Sequence, residues 1–476
     1  MANTLLRVRA FRGLDQSRGD WNSDPATTPQ GVNFICRGGV LERAGGMTAC
    51  SPQPPVGCVR LFQAFFRTDD GADDSRLVAA GNGCLYALID ENWTVLGEGF
   101  ASDDWCAVNY RKENNDLLIL VNGRDKMQSW DGKSASLTAI TPTMAGENVS
   151  FERLTLIYER LWGAVCASQP DRIYWSESFA PDNWEINSDI PDSGGGFADV
   201  ATFDGSRIRA VTTAFDDVLI VKDRSLHRLS GTYPGDFALT QVYGSEGTLA
   251  PRTLVQTADK LYFLGRDGLI VYDGMTVSSL VHRGDERARG VFARLNPNVL
   301  CEACAALMDD VIYIALPLDG SLVNSHVLRY SLSDDSWALL TLSGVRDFLI
   351  RRNGMKEELL CLTQEGLFCL GEGDNFGSTE VSGEWLSPML LGDQRMNRKR
   401  TNRLHVTVES EKAGVLTLFT QSERGRAERT FNLSEGISLL KPHLRVCGRC
   451  LRFGLKTSAP VRLPEGLSLE IEVDET

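Results

Sequence analysis

One phrase recurs seven times between Val59 and Leu370: a hydrophobic run, a tight turn, and a shorter strand that ends in Tyr, Trp or Phe. At 117–123 the run is Leu-Leu-Ile-Leu-Val-Asn-Gly, and at 129–132 it is answered by Ser-Trp-Asp-Gly. Self-similarity with a period of roughly 40 to 50 residues is typical of a β-propeller. Its four-stranded units stack radially around a channel because no unit can bury both of its faces alone. The sequence therefore predicts an all-β chain whose centre is a propeller.

About seven blades are expected, with six or eight as alternatives if one boundary is misplaced. Strands of four to six residues, rich in Val, Ile, Leu and aromatic residues and closed by Asp-Gly or Asn-Gly turns, favour four-stranded meanders. The predicted units are 59–96, 105–140, 149–189, 208–242, 253–281, 303–340 and 345–370.

The two ends of the chain differ from this repeat. Residues 1–55 carry Pro, Gly and Asp at a density that prevents long helices and regular sheets, so we expect an extended N-terminal arm. It would lie across the outside of the disc, where it can close the ring against the last blade. The propeller is predicted to occupy 56–375. Period-two alternation of apolar and polar residues then predicts a C-terminal β-sandwich over 376–476.

Charge and apolar content restrict the function classes. The chain of 476 residues has 49 Lys plus Arg against 63 Asp plus Glu, a formal net charge of -14. This balance argues against wrapping of nucleic acid, since phosphate neutralisation supplies most of that affinity. It still permits DNA to pass through a channel. We find no membrane-length apolar run, and charges interrupt the N-terminal apolar stretch, which indicates synthesis in the cytoplasm with reduced cysteines.

Residues for catalysis or metal binding are sparse. The five histidines are well separated, no Gly-x-Ser-x-Gly elbow occurs, and paired acids such as Asp309-Asp310 are expected to cap turns. Two Cys-x-x-Cys pairs, 301–304 and 447–450, could share a zinc ion or be redox-active, but small apolar core residues are the favoured interpretation. We therefore predict a chain that is not an enzyme, with no catalytic residue, cofactor or metal.

A basic run separates the propeller from the sandwich. It contains the cations Arg395, Arg398, Lys399, Arg400 and Arg403. Contact with DNA phosphates and a solvated linker are the alternatives. In a chain this acidic, an acidic face of a neighbouring subunit is the favoured partner, so these five residues are the predicted subunit interface.

Three stretches carry a resemblance to a known family. They are the repeat segment 158–184 with Tyr-Glu-Arg-Leu-Trp-Gly-Ala, Asp-Arg-Ile-Tyr-Trp-Ser-Glu and Pro-Asp-Asn-Trp, the arm with Phe11-Arg12-Gly13-Leu14 and 38–46, and the sandwich start at 403–406. Together they resemble virion β-propellers of short-tailed bacteriophages, of the tail nozzle and packaged-DNA stabilisation, or head-completion, type.

That resemblance implies a structural virion protein of the neck or tail, assembled in the host cytoplasm. It implies a homo-oligomeric ring, six-fold in the family, around the DNA exit channel below the portal. Other virion proteins would be its partners, the portal or adaptor ring above and tail proteins below. Genomic DNA would touch it transiently while the ring retains the genome, and no membrane insertion is implied.

Rival functions come from other classes. The alternative is a tail-tip or host-attachment propeller that binds carbohydrate, or a glycan-active enzyme. Arginines converging with acids and a tyrosine at one propeller mouth would favour it. A host protein-interaction propeller is weaker still, because the repeated Trp-Asp signature is missing.

Overall fold

The computed structural model describes residues 2–21, 24–67, 73–112, 115–144, 146–187, 189–190, 192–283, 285–391 and 397–473. Seven four-stranded antiparallel sheets follow one another along the central part of this chain, and we number them blades 1 to 7. The predicted fold class, an all-β propeller with an N-terminal arm and a C-terminal sandwich, is confirmed.

The blade strands have the following bounds. Blade 1 contains Cys58–Arg67, Asp73–Gly81, Cys84–Ile89 and Asn92–Glu98; blade 2 contains Cys106–Lys112, Asn115–Val121, Met127–Trp130 and Thr138–Ile140. Blade 3 contains Arg153–Ile157, Arg160–Ala164, Arg172–Trp175 and Gly196–Asp199; blade 4 contains Ile208–Ala214, Asp217–Lys222, Leu226–Ser230 and Ala238–Tyr243. Blade 5 contains Val255–Gln256, Leu261–Leu264, Leu269–Tyr272 and Val277–Ser279; blade 6 contains Cys304–Met308, Val311–Leu316, His326–Ser331 and Ser336–Leu340. Blade 7 contains Val345–Asn353, Lys356–Thr363, Leu367–Leu370 and, from the N-terminal segment, Met47–Ala49.

Two-residue turns join many of these strands. Asp309 and Asp310, at φ 48° and 59°, connect Met308 to Val311 in blade 6. Positive φ at both central residues is the type I′ pattern, whose twist matches that of the flanking strands. The turn role predicted for the Asp309-Asp310 pair is therefore confirmed.

The blades stack face to face into a closed ring. Each consecutive pair of blades shares one hydrophobic cluster, from blades 1 and 2 round to blades 6 and 7. Blade 7 meets blade 1 through Leu360 and Leu362 against Cys58 and Leu61. Because both faces of a middle strand are covered, strands such as Leu261–Leu264 are apolar at every position.

The sandwich has two sheets around a separate core. The larger sheet has the order Ala2–Val8, Leu467–Val473, Lys399–Ser410, Val461–Leu463, Val40–Arg43 and Phe34–Arg37, and Gly436–Leu440 and Cys447–Gly448 also pair with Lys399–Ser410. The smaller sheet has the order Gly383–Leu386, Leu451–Thr457, Gly414–Ser422 and Gly425–Leu433. Trp385 is fully buried between them and packs edge-on against Phe11, with ring centroids 5.1 Å apart.

The predicted arm supplies strands to both parts of the molecule, so the expectation that its composition prevents regular sheets was wrong. Its residues Ala2–Val8, Phe34–Arg37 and Val40–Arg43 belong to the sandwich sheet, whereas Met47–Ala49 pairs with Leu367–Leu370 and completes blade 7. The N-terminal segment thus closes the ring and ties it to the sandwich. The boundaries at 55 and 375 stay predictions. Strands before residue 55 pair with strands of the propeller and with strands of the sandwich.

Asn33 joins the sandwich to the outer strand of blade 6. It is buried with φ 57°, and its amide group bonds Thr341 Oγ1, the Thr341 N–H and the Ser382 carbonyl, each at 2.8 Å. Its main-chain N–H donates to the Leu339 carbonyl at 2.8 Å. Asn tolerates this left-handed backbone conformation better than most residues.

Short elements complete the described chain. The two-residue strands are Gly13–Leu14 with Thr27–Thr28, Thr143–Met144 with Glu147–Asn148, and Asn375–Phe376 with Thr379–Glu380. Helical turns are Gly19–Trp21, Pro234–Asp236, Leu280–Arg283, Glu286–Ala288, Arg289–Phe292 and Pro297–Glu302. The last four form an insert between blades 5 and 6 and contribute to their shared core. Among the described helices, none has the length and apolar character needed to cross a bilayer.

Candidate functional site

Arginines and acids converge where the inner strands of the blades begin, at one mouth of the channel. Arg60 of blade 1 donates from Nε and Nη2 to Asp104 Oδ1 at 3.0 and 2.5 Å. Arg153 of blade 3 donates from Nη2 to Asp104 Oδ2 at 3.0 Å. Asp104 precedes the inner strand of blade 2, so one carboxylate joins three consecutive blades.

The same network continues in the other direction around the mouth. Asp347 of blade 7 accepts from the Leu61 N–H at 3.0 Å, and Arg346 Nη1 donates to the Cys58 carbonyl at 2.8 Å. Arg252, which precedes blade 5, donates to the Arg346 carbonyl at 2.6 Å and to Glu302 Oε2 at 3.2 Å. Blades 5, 6, 7, 1, 2 and 3 are therefore linked by polar contacts.

Charge compensation sets the protonation of these groups. Burial alone would raise the pKa of Asp104, but Arg153 and Arg60 outweigh it and hold that pKa well below its usual range. Burial raises the pKa of Asp347, and Arg60 and Arg252 oppose this. Burial would lower the pKa of the Arg60 guanidinium, but Asp347 and Asp104 raise it. The arginines at this mouth serve first as bonds between blades.

The predicted subunit interface lies partly on the sandwich. Arg395 falls outside the described residues. Arg398, Arg400 and Arg403 are exposed, whereas Lys399 is buried and its Nζ donates to the Asn397 and Arg449 carbonyls at 3.2 and 3.0 Å. Lys399 begins a strand in which alternate residues face the core. This alternation explains why Lys399 is buried while its neighbour Arg400 is exposed. The structure thus brings three of the five cations to the surface, and their interface role stays a prediction.

The two Cys-x-x-Cys pairs lie in different parts of the molecule. Cys304 is buried in the inner strand of blade 6, beside the exposed Cys301, and burial raises its pKa to about 12. Cys447 and Cys450 belong to the sandwich, where burial raises the pKa of the Cys450 thiol. All twelve cysteines are free. Within the described parts of the chain, no three His, Cys, Asp or Glu side chains are grouped as metal ligands.

Two serine–histidine contacts were not anticipated from the sequence. Ser225 Oγ lies 2.9 Å from His227 Nε2, and Ser325 Oγ lies 3.0 Å from His326 Nδ1. Burial, with Lys222 nearby, lowers the pKa of His227 to about 4, and burial also lowers the pKa of His326. Ser225 and His227 are both inside blade 4, so this pair belongs to the packed interior.

No family model matches the chain, and no curated protein matches it. Among solved structures, U3-55K is 11% identical with a TM-score of 0.43 over 68% of this chain and 98% of its own. The WD40 repeats of RRP9 are 12% identical with a TM-score of 0.40 over 71% and 98%. The extracellular domain of BT4673 from B. thetaiotaomicron is 8% identical with a TM-score of 0.43 over 87% and 61%.

The first two of these structures are β-propellers of the WD40 type. With TM-scores of 0.40 to 0.43, these three likenesses carry no argument about this chain. The phage resemblance that the sequence carries has no counterpart among these matches.

Proposed function

We propose that this chain is a non-catalytic structural protein of a bacteriophage particle, a tail nozzle or head-completion protein. Copies would form a ring around the DNA exit channel below the portal and retain packaged DNA. The sequence resemblance of the arm, the 158–184 segment and the sandwich start motivates the assignment. The structural observation that supports it most is the surface segment formed by Arg398, Arg400 and Arg403 on an otherwise acidic chain.

A ring needs heterologous contacts, in which one surface of a copy meets a different surface of the next. Three exposed cations at the start of one interior strand, on the solvent side of the larger sandwich sheet, suit an acidic surface of the neighbouring copy. Electrostatic complementarity of this kind selects partners and speeds encounter more than it adds affinity. The net charge of -14 also suits a passage through which phosphates slide without being held.

Charge reversal tests the interface. In phage particles that carry the variant Arg398→Glu, Arg400→Glu, Arg403→Glu, we expect reduced incorporation of this chain and fewer complete particles. The isolated variant should keep its thermal midpoint, because exposed substitutions usually change stability by less than about 0.5 kcal/mol. Arg289→Glu, a single charge reversal at an exposed site in the helical insert, is the control for reversal outside the interface. Normal assembly of the triple variant would refute the interface.

A second candidate is favoured by the channel mouth. Arg60, Arg153 and Arg252 converge there with Asp104 and Asp347, the pattern expected of a glycan-binding or glycan-active propeller, although the hydrogen bonds described above include no tyrosine. Release of sugar from host polysaccharide by the purified chain, abolished by Asp347→Asn, would favour this candidate over the ring. Unchanged polysaccharide would remove the enzymatic form of it.

A further inference from the structure

A cleft of about 470 Å³ lies between blades 6 and 7 and the sandwich. Tyr313, Arg329 and Leu370 form its propeller side, and Arg43 and Arg462 belong to its sandwich side. Its volume falls within the range of small-molecule sites. The channel mouth described above shares none of these residues.

Arg329 is the unusual residue in this cleft. It is 4% exposed, on the blade 6 strand His326–Ser331, and its Nη1 has no hydrogen-bond partner among the described residues. A buried guanidinium N–H without an acceptor is rare, because its loss of hydration is not compensated. Because Arg329 lines the cleft, an oxygen-bearing anion bound there would lie beside its guanidinium, and a small movement of the side chain would bring Nη1 to an acceptor.

Arg43 is a second buried arginine in the cleft with an N–H group that lacks an acceptor. Arg43 uses Nη2 for Asp374 Oδ1 at 2.7 Å and Nη1 for the Ala44 carbonyl at 3.1 Å, which leaves its Nε without a partner. Two unsatisfied N–H groups on two arginines suit a group with several acceptor oxygens, since arginine binds carboxylate and phosphate through more than one oxygen.

The remaining charges of the cleft limit the charge of its ligand. Glu42 lies 3.8 Å from Arg37 and 2.9 Å from Arg462, and Asp374 accepts from Lys412 Nζ at 2.6 Å as well as from Arg43. These cations are therefore already neutralised in part. Two further carboxylates, Glu372 and Glu411, are exposed at the rim and would repel a polyanion. Carboxylates do accept hydrogen bonds from hydroxyl groups.

We propose that this cleft binds a small hydroxylated ligand that carries one oxyanion, a carboxylate or a phosphate monoester. Arg329 and Arg43 bind the oxyanion, and the rim carboxylates accept from its hydroxyl groups. This site is separate from the proposed ring interface, so either assignment can fail without the other.

Titration calorimetry on the full chain tests the proposal with glucuronate, glucose 6-phosphate and neutral glucose as probes, each at up to about 10 mM. The two anions distinguish a carboxylate from a phosphate ligand. We expect saturable binding of at least one anion and weaker or undetectable binding of glucose. Absence of binding by both anions, or equal binding of glucose, would overturn the proposal.

Variants locate the binding. Arg329→Met should weaken binding of the anion roughly 10- to 100-fold, as expected for loss of a charged hydrogen bond. Arg289→Met, at a residue that does not line the cleft, should bind like the unchanged protein. If Arg329→Met does not fold, Arg462→Gln serves instead, because its half-exposed side chain at the cleft can be changed without disturbing the core. Removal of Arg462 leaves Glu42 less neutralised, and the anion should bind several-fold more weakly. Unaltered binding in the folded variants would contradict the site.

Discussion

The propeller and the sandwich are both antiparallel β-structures, but they assemble by different rules. In blades 1 to 6 every strand pairs with its neighbour in sequence. The connection is short in most cases; the one from Trp175 to Gly196 in blade 3 is the longest. In the sandwich, Ala2–Val8 pairs with Leu467–Val473, and Val40–Arg43 pairs with Val461–Leu463. Local pairing makes each blade a repeatable unit, whereas the sandwich requires both ends of the chain. Blade 7 is the exception within the ring, because its last strand comes from the N-terminal segment.

Removal of the N-terminal segment should give the largest effect. A chain that begins at Ser51 lacks the closing strand of blade 7 and three strands of the larger sandwich sheet. We expect loss of the cooperative thermal transition in circular dichroism. A chain that begins at Arg9 lacks only the edge strand Ala2–Val8, so it should remain folded with a lower midpoint. If the chain that begins at Ser51 kept an unchanged transition, the sandwich would not require both ends of the chain, and the contrast with the locally paired blades would be wrong.

Asn33 tests the junction between the two parts. Asn33→Ala removes the side-chain bonds to Thr341 and Ser382 and places a less tolerant residue at φ 57°. We expect a loss of about 2–4 kcal/mol in the free energy of unfolding, measured by urea denaturation. Asn82→Ala is the control, at φ 55° in an exposed turn, where it loses one exposed hydrogen bond to the Val56 carbonyl, with an expected cost of about 1 kcal/mol. Equal costs for the two variants would mean that the junction contributes nothing beyond backbone strain and one exposed hydrogen bond.

His227 gives the propeller an acid-sensitive point. The residue is 4% exposed, and burial lowers its pKa to about 4 from an unfolded value of about 6.5. Its stabilising contribution is therefore complete above pH 6.5 and is lost as the pH falls from 6.5 through 4. The loss reaches about 3 kcal/mol.

In the variant His227→Gln, the free energy of unfolding should depend less on pH between 6.5 and 4. Glutamine cannot gain a proton, and its amide keeps a hydrogen-bonding partner for Ser225. Urea midpoints at pH 7, 5.5 and 4 measure the slope. A variant with the same slope as the unchanged chain would assign the acid sensitivity to other groups.

Carboxylates that bridge two arginines occur in both parts, and their substitution should have the smallest effect. Asp104→Asn should cost about 1–2 kcal/mol, because the Asp104 side chain is 43% exposed and solvent screens its two ion pairs. Since the folded pKa is depressed, this contribution is present above pH 4 and is lost at lower pH as Asp104 gains a proton.

Glu42→Gln removes the sandwich counterpart, which bridges Arg37 and Arg462. We expect a similar or smaller cost in the same denaturation experiment, since both of its arginine partners are substantially exposed. A Glu42→Gln cost well above that of Asp104→Asn would show that the sandwich, not the channel mouth, depends more on its ion pairs.

The same contrast explains what the sequence could predict. The blade strands were predictable because each is a short apolar run beside its own partner, as in 303–340 for blade 6. Phe34–Arg37 and Val40–Arg43 were not predictable as strands, because each has only four residues. In addition, the partner of Val40–Arg43 is Val461–Leu463, about 420 residues away in the sequence. Arg60, Arg153 and Arg252 come from different blades and join one network only when the blades pack together. Nothing in the local sequence distinguishes them, or Arg43 and Arg329, from other arginines.

The proposed role in the particle is tested most directly by cryo-electron microscopy of purified phage particles that contain this chain. The account predicts a closed ring of its copies beneath the portal, with the segment of Arg398, Arg400 and Arg403 at the contact between neighbours. Single copies or trimers at the distal tail tip, or absence of the chain from the particles, would contradict it.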